Sequence, residues 1–298
     1  MDTIPVLLDT DIGSDIDDAV ALAYLLSQPR CELLGITTVT GEPHKRASLA
    51  DAVCRVAGRT DIPIHVGVEA PLLVMQNQPQ ASQFEALTER WPHSEFAQEN
   101  TAISFLRETI RSRPGEITLL AIGPLTNIAL LFALDPEIPS LLKRMVIMGG
   151  QFFGAAEGGL RTCEWNMLCD PHAAAMVFAA PLPSLTAVGL DVTTQCVLPA
   201  DECRHRFSLS DGPLKLVGEM AEVWFRGSKT ITFHDPLAAA LLFAPSLCET
   251  VPAHVAVELV SPLTPGQTVL QAEPPLRHQV ARTVDTEAFF TYFFETVG

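Results

Sequence analysis

The chain has 298 residues, is 48% hydrophobic and carries a formal net charge of −16. That much apolar residue supplies a large core and excludes intrinsic disorder, which needs low hydrophobicity with high charge. No lysine- and arginine-rich cluster interrupts the acidic balance, so the surface repels phosphate backbones and argues against a nucleic-acid partner.

Membrane insertion is not expected either, because no apolar run approaches the ~20 residues that span a bilayer. Met1-Asp2-Thr3 is acidic and leads straight into a short apolar strand. It lacks the basic start and apolar core of a signal peptide, so a cytoplasmic location is expected. The seven cysteines form no CxxC pair and are odd in number. They read as buried thiols of a reducing compartment rather than as zinc ligands or a disulfide framework.

In chain order, Pro5–Asp9, Glu32–Thr38, Ile117–Ile122, Arg144–Met148 and Leu185–Gly189 read as short buried strands. Asp17–Ser27, Pro43–Gly58, Thr101–Arg111, Leu125–Asp135 and Pro171–Ala180 lie between or after them with helical length and spacing. The alternation predicts an α/β fold: a mostly parallel central sheet with helices on both faces and a Rossmann-like core. Two stretches break the rhythm, the polar, turn-prone Gly67–Asn100 and the Gly- and Ala-rich Gly149–Arg161. Beyond Val251, short strands precede an aromatic helix over Thr286–Thr296. No repeat or linker divides the chain, so one domain over 1–298 is expected. Ligands of open α/β sheets bind beyond the carboxyl ends of the strands. Here those ends carry Asp9 and Asp11, Thr38 to Glu42, Ile122-Gly123 and Met148-Gly149-Gly150.

Asp9-Thr10-Asp11-Ile12-Gly13-Ser14-Asp15-Ile16-Asp17-Asp18 places five carboxylates within ten residues, between a buried strand and a helix start. A helix N-cap accounts for one of Asp17 and Asp18, not for all five. Crowded carboxylates raise one another's pKa unless a cation intervenes, and hard oxygen ligands suit Ca²⁺ or Mg²⁺ better than Zn²⁺. Three further segments offer polar groups: His234-Asp235-Pro236 at a helix start, Glu164-Trp165-Asn166, and the tight turn Ile122-Gly123-Pro124-Leu125-Thr126-Asn127. Taken singly, each has a structural explanation in a cap, a satisfied core pair or a plain turn.

Together and in this order the segments resemble the inosine-uridine-preferring nucleoside hydrolase family. The resemblance runs through DTDIGSDIDDA, GITTVTGE, AIGPLTNIA, VIMGGQ, CEWNMLCDPHAA, VGLDVT and FHDPLAA, covering residues 3 to about 244. It implies the nucleoside hydrolase fold with one Ca²⁺ at the bottom of a ribose pocket. Asp11, Asp18 and Asp235 would ligate the ion through carboxylates and Ile122 through its backbone carbonyl, with Asp11 also the general base for the ion-bound water. Asp17, Glu164 and Asn166 would hold ribose hydroxyls, Met148 and Trp165 would pack on the sugar or base, and His234 would protonate the leaving base. The implied activity is cleavage of ribonucleosides to free base and ribose, by a homodimer or homotetramer.

The chain departs from the family pattern in several places. Five residues rather than three separate Asp11 from Asp17, and the insertion brings Asp15, an extra ligand or a loop acid. Glu42 stands where Asn is common after TTVxG and adds charge that cannot donate a hydrogen bond. It is expected to face the acidic loop as a substrate contact, altering base or hydroxyl preference toward an atypical N-riboside. Gly158 or Gly159 falls where an Asn precedes the Glu-aromatic-Asn segment, and no His-Gly pair occurs in the 67–100 stretch. Two other readings compete. A haloacid-dehalogenase-type phosphatase also begins strand-DxD, but Gly13 and the Asp17-Asp18 pair fit it poorly. A non-catalytic nucleoside-binding relative would keep the pocket without the chemistry.

Overall fold

A computed structural model describes residues 3–154, 163–271 and 275–298. Its strands are β1 (Ile4–Thr10), β2 (Cys31–Thr38), β3 (Ile64–Val66), β4 (Thr118–Ala121), β5 (Arg144–Met148), β6 (Leu185–Val188), β7 (Val197–Pro199), β8 (Thr230–Thr232), β9 (Cys248–Val257), β10 (Thr268–Gln271) and β11 (His278–Val284). The helices are α1 (Asp17–Ser27), α2 (Pro43–Val56), α3 (Ala102–Ser112), α4 (Thr126–Leu134), α5 (Ile138–Leu141), α6 (Trp165–Cys169) and α7 (Pro171–Ala179). They continue with α8 (Leu190–Thr193), α9 (Ala200–Ser208), α10 (Leu214–Trp224), α11 (His234–Ala240) and α12 (Thr286–Val297).

Nine strands form one sheet in the order β10-β9-β11-β6-β5-β4-β1-β2-β3, while β7 and β8 pair separately. From β11 across to β3 every pairing is parallel; β9 runs antiparallel to both β11 and β10. The expected mostly parallel α/β sheet is what forms. Strands buried on both faces explain why the sequence shows continuous apolar runs instead of alternation. Val6 and Leu8 join a cluster with α1, α2 and α10–α12, and the intervening Leu7 joins a second with α3, α4 and α7, so successive residues feed opposite faces.

The strand order positions the site. The chain leaves β1 outward through β2 and β3, then crosses to β4 on the other side of β1. The crevice opens where that order reverses, beyond the carboxyl ends of β1 and β4. Asp9 closes β1 there: its Oδ1 accepts from Thr37 Oγ1 (2.5 Å) and Asn127 Nδ2 (2.7 Å), and the same Asn127 takes the Val68 N–H (2.9 Å). Asp9 therefore ties the end of β1 to β2 and α4.

The 67–100 stretch contains only a short 3-10 turn, Ser82–Ala86, yet residues 76–83 pack closely against the acidic loop. Of the Gly149–Arg161 stretch, residues 155–161 lie outside the described residues, as do Gly158 and Gly159 and the N-terminal Met1-Asp2. No helix of the described residues is long and apolar enough to cross a membrane. All seven cysteines are free thiols.

Candidate active site

Four segment ends converge beyond β1 and β4. The acidic loop supplies Asp11, Asp15, Asp17 and Asp18; the end of β4 supplies Ile122; the end of β5 and α6 bring Met148, Glu164, Trp165 and Asn166; the start of α11 brings His234 and Asp235. Together they line a cavity of about 690 Å³, within the size range of small-ligand sites. Gly123 allows the β4 turn to come this near: a Cβ there would stand 2.7 Å from Asp11 Oδ1.

At the centre, carboxylate oxygens of Asp17, Asp18 and Asp235 lie within 4.8 Å of one another, all buried. Asp18 accepts a short hydrogen bond from Thr10 Oγ1, and Asp17 Oδ2 accepts the Asp235 N–H at 3.1 Å. Burial, then repulsion between neighbouring acids, pushes Asp17 and Asp235 well above the carboxylate range, and Asp18 likewise. Asp11 is also raised, chiefly by burial, with Arg46 acting against the shift. Asp15 is pushed up to about 6 by burial, its Oδ1 taking the Ile16 N–H at 2.6 Å. A donor set of hard oxygens, buried and mutually repelling, fits a divalent cation, which would relieve the repulsion that raises these groups.

Glu164 is the N-cap of α6, accepting from Asn166 N (2.9 Å), Met167 N (3.1 Å) and Gly150 N (3.2 Å), and burial pushes its carboxyl up to about 7. Asn166 donates Nδ2 to the Ile122 carbonyl at 2.8 Å and to the Met148 carbonyl at 3.2 Å. The Ile122 oxygen keeps a second lone pair for another partner. Met148 is buried, whereas Trp165 is 49% exposed and stands at the cavity mouth. His234 Nδ1 lies 2.7 Å from Thr193 Oγ1, and burial lowers its pKa to about 4.

Glu42 is not brought into the cavity. It sits at φ 57°, in the left-handed region, where an L-residue turns its side chain out of line with the strand. Its carboxylate accepts from Lys45 Nζ (2.5 Å) and the Ala81 N–H (3.0 Å). Burial pushes Glu42 up, but these bonds outweigh it and hold the group below its usual range.

The model of the inosine-uridine preferring nucleoside hydrolases matches residues 6–291. The chain belongs to that family. This hydrolase is 33% identical over 310 residues to the non-specific ribonucleoside hydrolase RihC of Klebsiella pneumoniae, covering 99% of the chain and 98% of that protein. It is 32% identical over 316 residues to an uncharacterized protein of Schizosaccharomyces pombe, covering 98% of each. Among solved structures it is similar to a purine-preferring ribonucleoside hydrolase from Gardnerella vaginalis, with TM-score 0.85, 25% identity and 98% coverage of both chains. A plant nucleoside hydrolase gives the same TM-score and identity, with 99% and 98% coverage. The phosphatase and non-catalytic readings give way to a nucleoside hydrolase, an enzyme of a metal-dependent family.

Several residues of the hydrolase's site escaped the sequence, among them Gln78, Leu190 and Trp224, which line the cavity, and Arg46, which lies fully buried behind it. Arg46 donates to the carbonyls of Gly41 (2.8 Å), Ile12 (3.2 Å), Gln80 (3.2 Å) and, more closely, Asp11, and to Ser14 Oγ (3.0 Å). The signal for Arg46 is its place on the face of α2 that also carries the buried Leu49, Ala50 and Val53. Trp224 closes α10 as an ordinary amphipathic residue would.

Proposed function

We propose that the hydrolase cleaves the N-glycosidic bond of ribonucleosides, releasing free base and ribose, at the cavity beyond β1 and β4. The supporting observation is the buried carboxylate cluster of Asp17, Asp18 and Asp235 with Asp11 beside it, facing Met148, Trp165 and His234. A Ca²⁺ ion would be held by Asp11, Asp18, Asp235 and the Ile122 carbonyl. When bound it supplies positive charge that orients a sugar diol and makes an attacking water more acidic.

The protein's own groups do the rest. Asp11 takes a proton from the water that attacks the anomeric carbon, a contribution typically worth ~10²–10⁴-fold. The C–N bond breaks with its electron pair on the base nitrogen, so the sugar acquires oxocarbenium character. A cavity lined with carboxylates favours that positive charge over the neutral ground state. Asp17, Glu164 and Asn166 hold ribose hydroxyls, and the Trp165 and Met148 faces exclude water from sugar and base.

His234 is assigned to the leaving base, in a form that differs from the sequence reading. With its pKa lowered to about 4, the ring is neutral at pH 7 and cannot act as a stored proton. Where Thr193 Oγ1 donates to Nδ1, the ring hydrogen lies on Nε2 and is offered to the departing base as a hydrogen bond. The final proton on the base then comes from solvent.

Incubation with a panel of purine and pyrimidine ribonucleosides, followed by chromatography for base and a reducing-sugar assay for ribose, tests this reading. Equimolar base and ribose are expected. Nucleoside binding without either product would refute it. The cytoplasmic location and a homodimeric or homotetrameric assembly are part of the same proposal, the latter checked by light scattering.

A further inference from the structure

Segment 76–83 is irregular up to the 3-10 turn that begins at Ser82, yet it is docked onto the acidic loop and the β2–α2 turn from several sides. Gln83 N donates to the Gly13 carbonyl (2.9 Å) and Gln83 Nε2 to the Ser14 carbonyl (3.0 Å). Glu42 takes the Ala81 N–H, and Arg46 and Ser14 Oγ both donate to the Gln80 carbonyl at 3.2 Å. Upstream, Gln76 Oε1 accepts from Thr40 Oγ1 (3.1 Å) and the Gln78 N–H (2.8 Å). The closest approach is at Gly41, where a Cβ would stand 2.4 Å from the Gln78 carbonyl oxygen and 2.5 Å from Pro79. Only glycine leaves room for the segment in that place.

This docking delivers one side chain into the cavity. Gln78 is 7% exposed; its Nε2 donates to Asp11 Oδ2 at 2.5 Å, and its Oε1 accepts a short hydrogen bond from the Trp165 indole N–H. The two partners make opposite demands. An ionised carboxylate only accepts and an indole only donates, so the bridging group must offer both functions across its own width. An amide does; a carboxylate in its place could not donate to Asp11, and a thioether could not donate and would accept only weakly. The bridge runs from a buried acid to an aromatic ring at the mouth, joining the floor of the site to its wall.

We propose that Gln78 is a positioning residue of the hydrolase, its amide fixing the Asp11 carboxylate and the Trp165 ring relative to each other. Glu42 and Arg46 support this bridge from behind by holding the segment that carries it. Glu42 therefore acts through the segment and not by touching substrate. The proposal rests on Asp11 being the base, as assigned above.

Gln78→Met and Gln78→Glu, which keep the side-chain length, provide the test. With the metal-loaded enzyme, kcat is expected to fall on the order of 10²-fold, as for misplaced catalytic groups, with KM changed less than ~3-fold. The second readout needs no turnover: the indole N–H resonances of the three tryptophans, with Trp165→Phe assigning one of them. Loss of the amide acceptor in Gln78→Met is expected to move the Trp165 resonance upfield and leave the others in place. An unmoved resonance, or a wild-type kcat in both variants, would overturn the proposal. So would a rise in KM without a loss of kcat, which would make Gln78 a substrate contact instead. If wild-type protein released no ribose at all, the assignment of function would fall, while the resonance would still decide whether the bridge exists.

Discussion

Removing the metal and raising the pH should destabilise this protein, the reverse of the usual behaviour of buried acids in ion pairs. Asp9 is fully buried, and burial raises its carboxyl from 3.8 to about 7 despite the bonds from Thr37 and Asn127. Among the described residues its Oδ2 has no hydrogen-bond partner, so nothing on that oxygen compensates an ionised charge. Glu164 rises from 4.5 to about 7 and Asp15 from 3.8 to about 6, both chiefly through burial. Between the unfolded and folded values, the native state binds more protons than the unfolded chain. Stability is then fully present below about pH 4 and is lost as pH rises through 6 to 7. For Asp9, roughly three pKa units at ~1.4 kcal/mol each give about 4 kcal/mol. Urea denaturation of chelator-stripped protein at pH 5 and pH 8 should show a loss of several kcal/mol. Asp9→Asn, which keeps Oδ1 for Thr37 and Asn127 without a titrating proton, should flatten that slope measurably. A stripped protein whose stability is constant or rises over this range would refute the reasoning.

Further outcomes follow from the same geometry. Asp18→Asn and Asp235→Asn should each weaken Ca²⁺ binding at least ~10²-fold by calorimetry, while raising the melting temperature of the stripped protein, since one repelling acid is gone. A variant that loses stability without metal would contradict the clustering. His234→Ala should slow ribosides of purine or pyrimidine bases ~10²-fold, as loss of one hydrogen-bond donor to developing charge does, but barely affect a nitrophenyl riboside, whose leaving group departs unaided. An equal loss on both would deny His234 a role at the leaving group. Arg46→Met should cost ~3–5 kcal/mol in denaturant unfolding, because buried carbonyls of three segments lose their donor. A cost under ~1 kcal/mol would show that those segments hold together without it.

The sheet was legible in the sequence because its central strands are buried on both faces and end in polar residues. Arg144–Met148 and Asp17–Ser27 match the structure residue for residue, and the other expected elements agree within about two residues at their ends. The acidic loop was legible for a similar local reason: chain connectivity alone crowds Asp15, Asp17 and Asp18 together. Asp235 could be joined to them only through the resemblance, since nothing within its own segment reports a contact across 218 residues. Glu42 shows the limit of local reading. Its position next to the strand end suggested a cavity contact, but a left-handed backbone angle sends the carboxylate to Lys45 and Ala81. Gln78 lies in a stretch with no periodicity, and its role is defined only by what Gly41, Arg46 and Glu42 do to the path of that stretch. Such contacts depend on where separate segments meet, which neither composition nor spacing encodes.

The central claim joins the carboxylate cluster to riboside hydrolysis, and one titration tests both. Ribose release from inosine and uridine would be followed while Ca²⁺ is added back to chelator-stripped protein. Activity should rise from near zero and saturate at one ion per chain. Full turnover in the stripped protein, or none at any Ca²⁺ level, would contradict the account.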